Sequence, residues 1–348
     1  MQISILLAEP YIAVREGLKC SSCHSNLTGG GKRTRMGAGY GAQDLPWKPL
    51  DLEKSKVPFY WSVLEDRISF GGDFRTGNQS RFLKDNSTNS FETEKSNVYF
   101  QADLIPNRVS FYLDESVAPG GTQTREIFAL VRNLPGRSWI KAGKFNLPYG
   151  LRIEDDRAFI REAVGFTFNN PDTGLEFGLE PGSLSFQATI TNGTAGSSDN
   201  NTSKQFTGSA AYVADRFRIG GSASHNDSGD ASRESTGIWG GLRLGKLVLL
   251  AEADWIRNEQ NGQVQKQAAT FAELNYEIVN GWNLKASYEY FDPNRKINEN
   301  QRDRVILGVE PFLTSFVQVQ IFYRFNQSIP QNRPQNADEL FVRLHLFF

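Results

Sequence analysis

The feature that most constrains this chain is a period of two in hydropathy, interrupted by connections that alternate in length. In WNLKASYEYF (282–291), Trp282, Leu284, Ala286, Tyr288 and Tyr290 share one face, while Asn283, Lys285, Ser287 and Glu289 share the other. SFVQVQIFYRF (315–325) sets Val317, Val319, Ile321, Tyr323 and Phe325 against Gln318, Gln320 and Arg324, and NVYFQADL (97–104) and LSFQATIT (184–191) repeat the pattern. Strict alternation marks β-strands with two unlike faces. Starting from a first strand near 66–76, every second connection is tight: IPNR (105–108), LPGR (134–137), EPGS (180–183), ADR (214–216), LGK (244–246), VNGW (279–282) and LTS (313–315). The others are long and polar, among them TGNQSRFLKDNSTNSFETEKS, HNDSGDASRES, RNEQNGQVQ and NQSIPQNRPQN. Short turns on one rim and long loops on the other is the layout of an outer-membrane barrel. A soluble sandwich or propeller has no physical reason to keep that asymmetry along its whole length. The count is about sixteen strands. An even number leaves both termini on the short-turn, periplasmic side, and a barrel of that size encloses an aqueous lumen. The expected fold class is all-β: an antiparallel transmembrane β-barrel over residues 61–348.

Composition agrees with this reading. Mean hydropathy is −0.45 over 348 residues, and no stretch of about 18 apolar residues exists to form a transmembrane helix. Alternating strands average out to a polar chain, so a low mean does not exclude a barrel. Net charge is −1, which argues against nucleic acid as a partner. The chain ends ELFVRLHLFF, and alternation back from Phe348 puts Leu346, Leu344 and Val342 on the lipid face and Phe347, His345 and Arg343 in the lumen.

Residues 1–60 have a different texture. Positions 1–8 (MQISILLA) read as the remnant of a signal peptide cleaved near Ala8. Residues 9–60 are loop-like and too few to build an adequate core alone; they read as a segment partly inserted in the lumen. This segment holds the only two cysteines, in KCSSCH (19–24). Cys-x-x-Cys-His is the attachment motif for c-type haem. The two thiols add to the haem vinyl groups, and the adjacent histidine is held under the iron as its proximal ligand. Cys20 and Cys23 would form the thioethers and His24 would bind iron. A redox CxxC belongs beside a βαβ pattern, a zinc site needs four ligands, and a disulfide would leave His24 unexplained. For the distal side the chain offers Met36, in the Gly-rich stretch TGGGKRTRMGAGYG, and His345 in the lumen. An open site with water is the third option.

The third long connection, LRIEDDRAFIREAVGFTFNNPD, carries Arg152, Asp155, Asp156, Arg157 and Arg161. Mixed charges at a constriction filter solutes by size and charge, and an inward fold of this loop would put them there. KAGKFNLPYGLR and DDRAF resemble the phosphate-selective type of porin. AEPYIAVREGLKCSSCH with the LTGGG that follows, joined to a sixteen-stranded barrel, resembles the monohaem cytochrome–porin fusions of the outer membrane known from iron-oxidising bacteria. The resemblance implies one covalent haem c, outer-membrane lipid around the barrel, and electron exchange between an extracellular redox partner such as iron and periplasmic carriers such as soluble cytochromes. It implies Fe(II) oxidation at the cell surface, and a relative could run in the opposite direction. A solute or anion porin, with the haem segment as structural plug or gating sensor, is the alternative. A hydrolase is a poor third, since no nucleophile–base arrangement emerges.

Overall fold

The structure, a computed structural model, describes residues 9–83, 87–199, 201–329 and 336–348. Residues 1–8, where the sequence suggests a signal-peptide remnant, and part of the polar stretch NQSIPQNRPQN lie outside the described residues. A short strand, β1 (Trp61–Val63), precedes sixteen antiparallel strands, from β2 (Ile68–Phe82) and β3 (Ser87–Ile105) to β16 (Val317–Gln327) and β17 (Asp338–Phe347). Each strand pairs with its sequence neighbours, and β17 closes on β2 from Asp338↔Phe82 to Phe347↔Asp73. β1 caps the part of the β2 edge that β17 does not reach, with Trp61 opposite Phe70. The sheet is a closed sixteen-stranded barrel with no long free edge, the arrangement that satisfies every backbone group in lipid.

The alternation has the expected sense. Along β14 (Trp282–Asp292), Leu284 and Tyr288 face outward, while Asn283, Ser287 and Glu289 are buried in the lumen. On β17, Val342, Leu344 and Leu346 lie outside, and Phe341, His345 and Phe347 lie inside. Trp47 packs edge-on against Trp282 (5.9 Å) and Trp61 against Phe348 (5.7 Å) at the short-turn rim. There the amphipathic rings suit a membrane–water boundary.

All seven tight turns fall where the sequence puts them. The long connections differ. TGNQSRFLKDNSTNSFETEKS is mostly strand: β2 and β3 run for 15 and 19 residues and pair as far as Phe82↔Ser87. HNDSGDASRES and RNEQNGQVQ shorten in the same way between β10 (Phe217–Asp227), β11 (Ala231–Leu244), β12 (Leu247–Gln260) and β13 (Gln263–Val279). Beyond the apolar band both faces of a hairpin meet water, so the hydropathy alternation ends while backbone pairing continues.

The N-terminal segment contains short helices that periodicity does not reveal: α1 (Pro10–Glu16), α2 (Cys20–Cys23), α3 (Arg35–Gln43) and α4 (Leu52–Ser55). α1 begins on Pro10, which needs no partner for its nitrogen, and ends at Gly17 with φ 68°. α3 carries three glycines and has poor intrinsic propensity. Thr34 caps it, accepting from Gly37 N at 3.1 Å, and packing on α2 does the rest.

Candidate functional site

Residues 9–45 lie inside the barrel. Tyr11 donates to Glu310 (3.2 Å), Arg15 donates to Glu277 and Asn283, and Asn26 donates to Glu126 (2.9 Å). Arg218 and Arg243 hold the Leu18 and Arg15 carbonyls. The chain leaves at the short-turn rim, where Trp47 N donates to Phe312 O (2.8 Å) and Asn280 to Pro46 O (2.9 Å). Tyr11, Ile12, Val14 and Tyr40 are buried with Leu151, Phe159 and Ile160. The segment is therefore a plug seated among lumen side chains.

The long connection between β6 (Ser138–Phe145) and β7 (Asp172–Leu179) folds inward to meet it. Its backbone crosses the lumen on wall carboxylates: Leu151 N donates to Glu252 (2.6 Å) and Phe159 N to Glu289 (2.9 Å). Tyr149 stacks on Phe166 (4.3 Å between centroids) and donates to Asp254 (3.1 Å). Glu154 pairs with Arg75 (2.6 Å), and Asp155 pairs with Arg324. Asp156 accepts from Phe168 N (2.9 Å) and lies 3.6 Å from Arg161, which is buried. Arg152 reaches the plug, donating to Gly29 O (2.8 Å). Arg157 is exposed, and its carbonyl accepts from Arg304 (2.6 Å). These five charged residues do not form one open ring. Four of them spend their contacts fixing the loop to the wall or to itself, and Arg152 ties it to the plug.

Between plug, loop and wall lies a cleft holding about 1010 Å³ of empty space, part of it open to solvent. Cys20, Cys23 and His24 all line it. Leu27, Tyr149, Leu151, Phe168 and Trp239 supply apolar wall, and Arg152, Arg218 and Lys19 supply charge. The two cysteines are not joined in a disulfide; Cys20 is exposed and Cys23 buried. His24 N donates to Cys20 O (3.1 Å), closing the turn that brings the three together. The His24 ring is buried, and neither nitrogen makes a hydrogen bond of acceptable geometry, although the Gly30 and Gly31 backbone is close enough to favour its charged form. Burial, reinforced by neighbouring Arg33, outweighs that and pushes the imidazole down to about 3. At neutral pH the ring is uncharged and keeps a free lone pair.

The two distal candidates are not in this cleft. Met36 sits in helix α3 rather than in a loose loop, half-buried, and is absent from the cleft lining. His345 is buried in the lumen, but its Nδ1 is 2.7 Å from Gln318 Oε1 and its Nε2 is 3.3 Å from Asp73 Oδ1. It lines a second cavity, of about 1550 Å³ empty space, which shares Glu9, Gly30, Arg152 and Phe168 with the first. Sequence reasoning missed the wall residues Trp239 and Arg218, the loop residues Tyr149 and Phe168, and Arg33 in GGGKR. No local signal marks them, because their shared position depends on barrel closure.

A sequence profile of the Gram-negative porin family matches residues 154–328, half of the chain. The chain belongs to the Gram-negative porin family. Solved outer-membrane barrels have the same fold as this porin. OmpT of Vibrio cholerae in its trimer form is 13% identical, with 81% of this chain and 99% of that chain covered at a TM-score of 0.65. Salmonella typhi OmpF in complex with daunomycin is 14% identical (83% and 100%, TM-score 0.63), and an anion-selective porin from Comamonas acidovorans is 11% identical (81% and 99%, TM-score 0.62). At these identities the likeness is one of fold. No curated protein matches the sequence of this porin. Its barrel belongs to the Gram-negative outer membrane, with lipid against its outer face.

Proposed function

We propose that this porin is an electron conduit of the outer membrane, holding one c-type haem on Cys20, Cys23 and His24 inside its plugged lumen. It exchanges electrons between an extracellular donor or acceptor, iron among them, and soluble carriers in the periplasm. The observation that carries this reading is the cleft: both thiols and a buried, neutral imidazole open into one space between plug, loop and wall. When bound, such a haem supplies a one-electron Fe(III)/Fe(II) couple. The thiols fix its edge and His24 holds the iron side. Tyr149, Leu151, Phe168 and Trp239 exclude water, while plug and loop bar solutes from a direct path. Electrons cannot cross an apolar band of about 25 Å without a redox centre within it, and a barrel supplies a protein-walled place for one. Both termini are assigned to the periplasm, because plug entry and Phe348 share the short-turn rim. For the distal side of the iron, an open site accords better with the cleft lining than Met36 or His345.

A second reading, a solute porin whose haem segment is a plug or gating sensor, draws on the second cavity, which is lined by both charges and lies beside the plug. One experiment separates them. The protein is made with haem-maturation machinery and purified from outer membranes, and its visible spectrum is followed during redox titration and in intact cells. A covalent c-type spectrum that extracellular Fe(II) reduces supports the conduit and gives its direction. A covalent haem inert to outside donors and acceptors supports the plugged porin. Absence of covalent haem overturns both.

A further inference from the structure

We propose that Arg33, Arg125 and Arg152 form an oxyanion site in the second cavity, beside His24. All three line that cavity, and among the described residues none lies within 4 Å of a carboxylate. Two other arginines of the same cavity behave differently: Arg75 pairs with Asp73 and Glu154, and Arg343 with Glu94. Arg125 and Arg152 spend their contacts on carbonyls, of Phe168 and of Gly29, Asn146 and Leu147. Arg33 is 5% exposed, and its Nε and Nη1 are buried without any hydrogen-bond partner. Its guanidinium lies over the Phe347 ring at 4.5 Å, a weak substitute for an anion. A buried guanidinium with no ion-pair partner is costly to desolvate, so Arg33, flanked by Arg125 and Arg152 with only carbonyls for partners, favours an anion that the protein itself does not supply.

Asp73 attracts Arg33 and Asp114 attracts Arg125 from beyond ion-pair distance, but the wall acids are already engaged elsewhere. Asp73 is held by Arg75 and Lys95, Asp114 by Asn97, and Glu126 by Asn26 and Asn146 N. An antiparallel bridge pairs His24 with Arg33, and residues directly opposite in such a pair project to the same face. The anion is therefore held on the imidazole side of the plug hairpin. The required chemistry is an oxyanion. Two sources carry it: a propionate of the haem at His24, which rests on the function proposed above, or a free oxyanion that has entered the barrel.

The test uses Arg33→Gln and Arg33→Lys in the full-length chain, both haem-loaded and as a haem-less Cys20→Ser/Cys23→Ser form, in buffers free of other oxyanions. If the source is propionate, Arg33→Gln lowers the midpoint potential of the loaded protein, because an uncompensated carboxylate favours Fe(III), and Arg33→Lys restores most of it. Inorganic phosphate or acetate then raises the melting midpoint of the haem-less form only. If the source is a free oxyanion, phosphate or acetate raises the melting midpoint of the loaded protein as well, saturably, and Arg33→Gln abolishes the rise with the potential unchanged. If Arg33→Gln leaves both the potential and the response to added anion as in the unsubstituted chain, the site is overturned. Should no haem ever attach, the function proposed above fails while the phosphate response of the haem-less form still decides the site.

Discussion

Replacing Gly37 by Ala tests whether the haem-motif turn is held by backbone packing. A Cβ at Gly37 would fall 2.3 Å from the Cys23 carbonyl oxygen, about 1 Å inside the ~3.3 Å at which carbon meets such an oxygen. In an open helix the change would be favourable by about 1 kcal/mol, since Gly is the poorer helix former. Overpacking costs about 1–3 kcal/mol. The upper end applies here, because the obstacle is a carbonyl that also accepts from Thr34 N at 2.8 Å and cannot rotate away. The net effect is a docked plug weakened by about 2 kcal/mol. Gly39, two residues on, is the control: its Cβ would meet Phe59 at 3.6 Å, an ordinary contact. The assay is alkylation of Cys23, 2% exposed, in haem-less Cys20→Ser protein where it is the sole thiol. Labelling then reports transient undocking. At tenfold per 1.4 kcal/mol, Gly37→Ala should label roughly 30-fold faster and Gly39→Ala roughly fivefold slower. A Gly37→Ala protein that labels no faster than its parent refutes the argument.

Three other outcomes follow from the same geometry. Burial opposes the charge on Asp155, yet Arg324, then Arg157 and Arg304, outweigh it and hold the carboxyl well below the usual range. Such a group stabilises in full above the ordinary carboxylate range, about pH 4, and loses that contribution as pH falls toward the folded value, so the Asp155–Arg324 contact should hold the loop equally at pH 7 and pH 4.5. Arg324→Gln should raise single-channel current noise at both, and a loop that opens by pH 5 in the unsubstituted protein would contradict this. Burial also pushes Lys32 down to about 7. The unfolded chain then binds the extra proton between about 7 and 10.4, and plug stability should rise with pH across that window; urea midpoints for Lys32→Met should be higher and flat there. Lys141→Met strands the buried Glu176, which Lys141 pairs at 2.9 Å. Losing one partner of such a pair costs about 3–5 kcal/mol, so the temperature of heat modification in detergent electrophoresis should fall, and an unchanged temperature would show the pair to be dispensable.

Strand positions were legible because each depends on neighbours two residues away and on a turn adjacent in sequence. The faces of β14 and β17 and all seven tight turns could be read that way. The polar ends of β2 and β3 could not, since pairing there leaves no hydropathy trace. Helix α3 was hidden for a related reason: RMGAGYGAQ is a poor helix former on its own and is stabilised by Cys23 and Thr34 packed against it.

What the sequence determined by itself was local chemistry: a barrel of about sixteen strands, a lipid face, and two thiols with a histidine in haem-attachment spacing. Only the tertiary structure decided what that motif faces. Tyr11 meets Glu310 across 299 positions and Asn26 meets Glu126 across 100, contacts that exist because β17 closes on β2 and the plug lies within the ring. The same closure left Met36 and His345 outside the cleft, brought Tyr149 and Trp239 to it, and left Arg33 without a carboxylate at ion-pair distance. No periodicity encodes such meetings, because side chains from opposite walls become neighbours only after the sheet has closed.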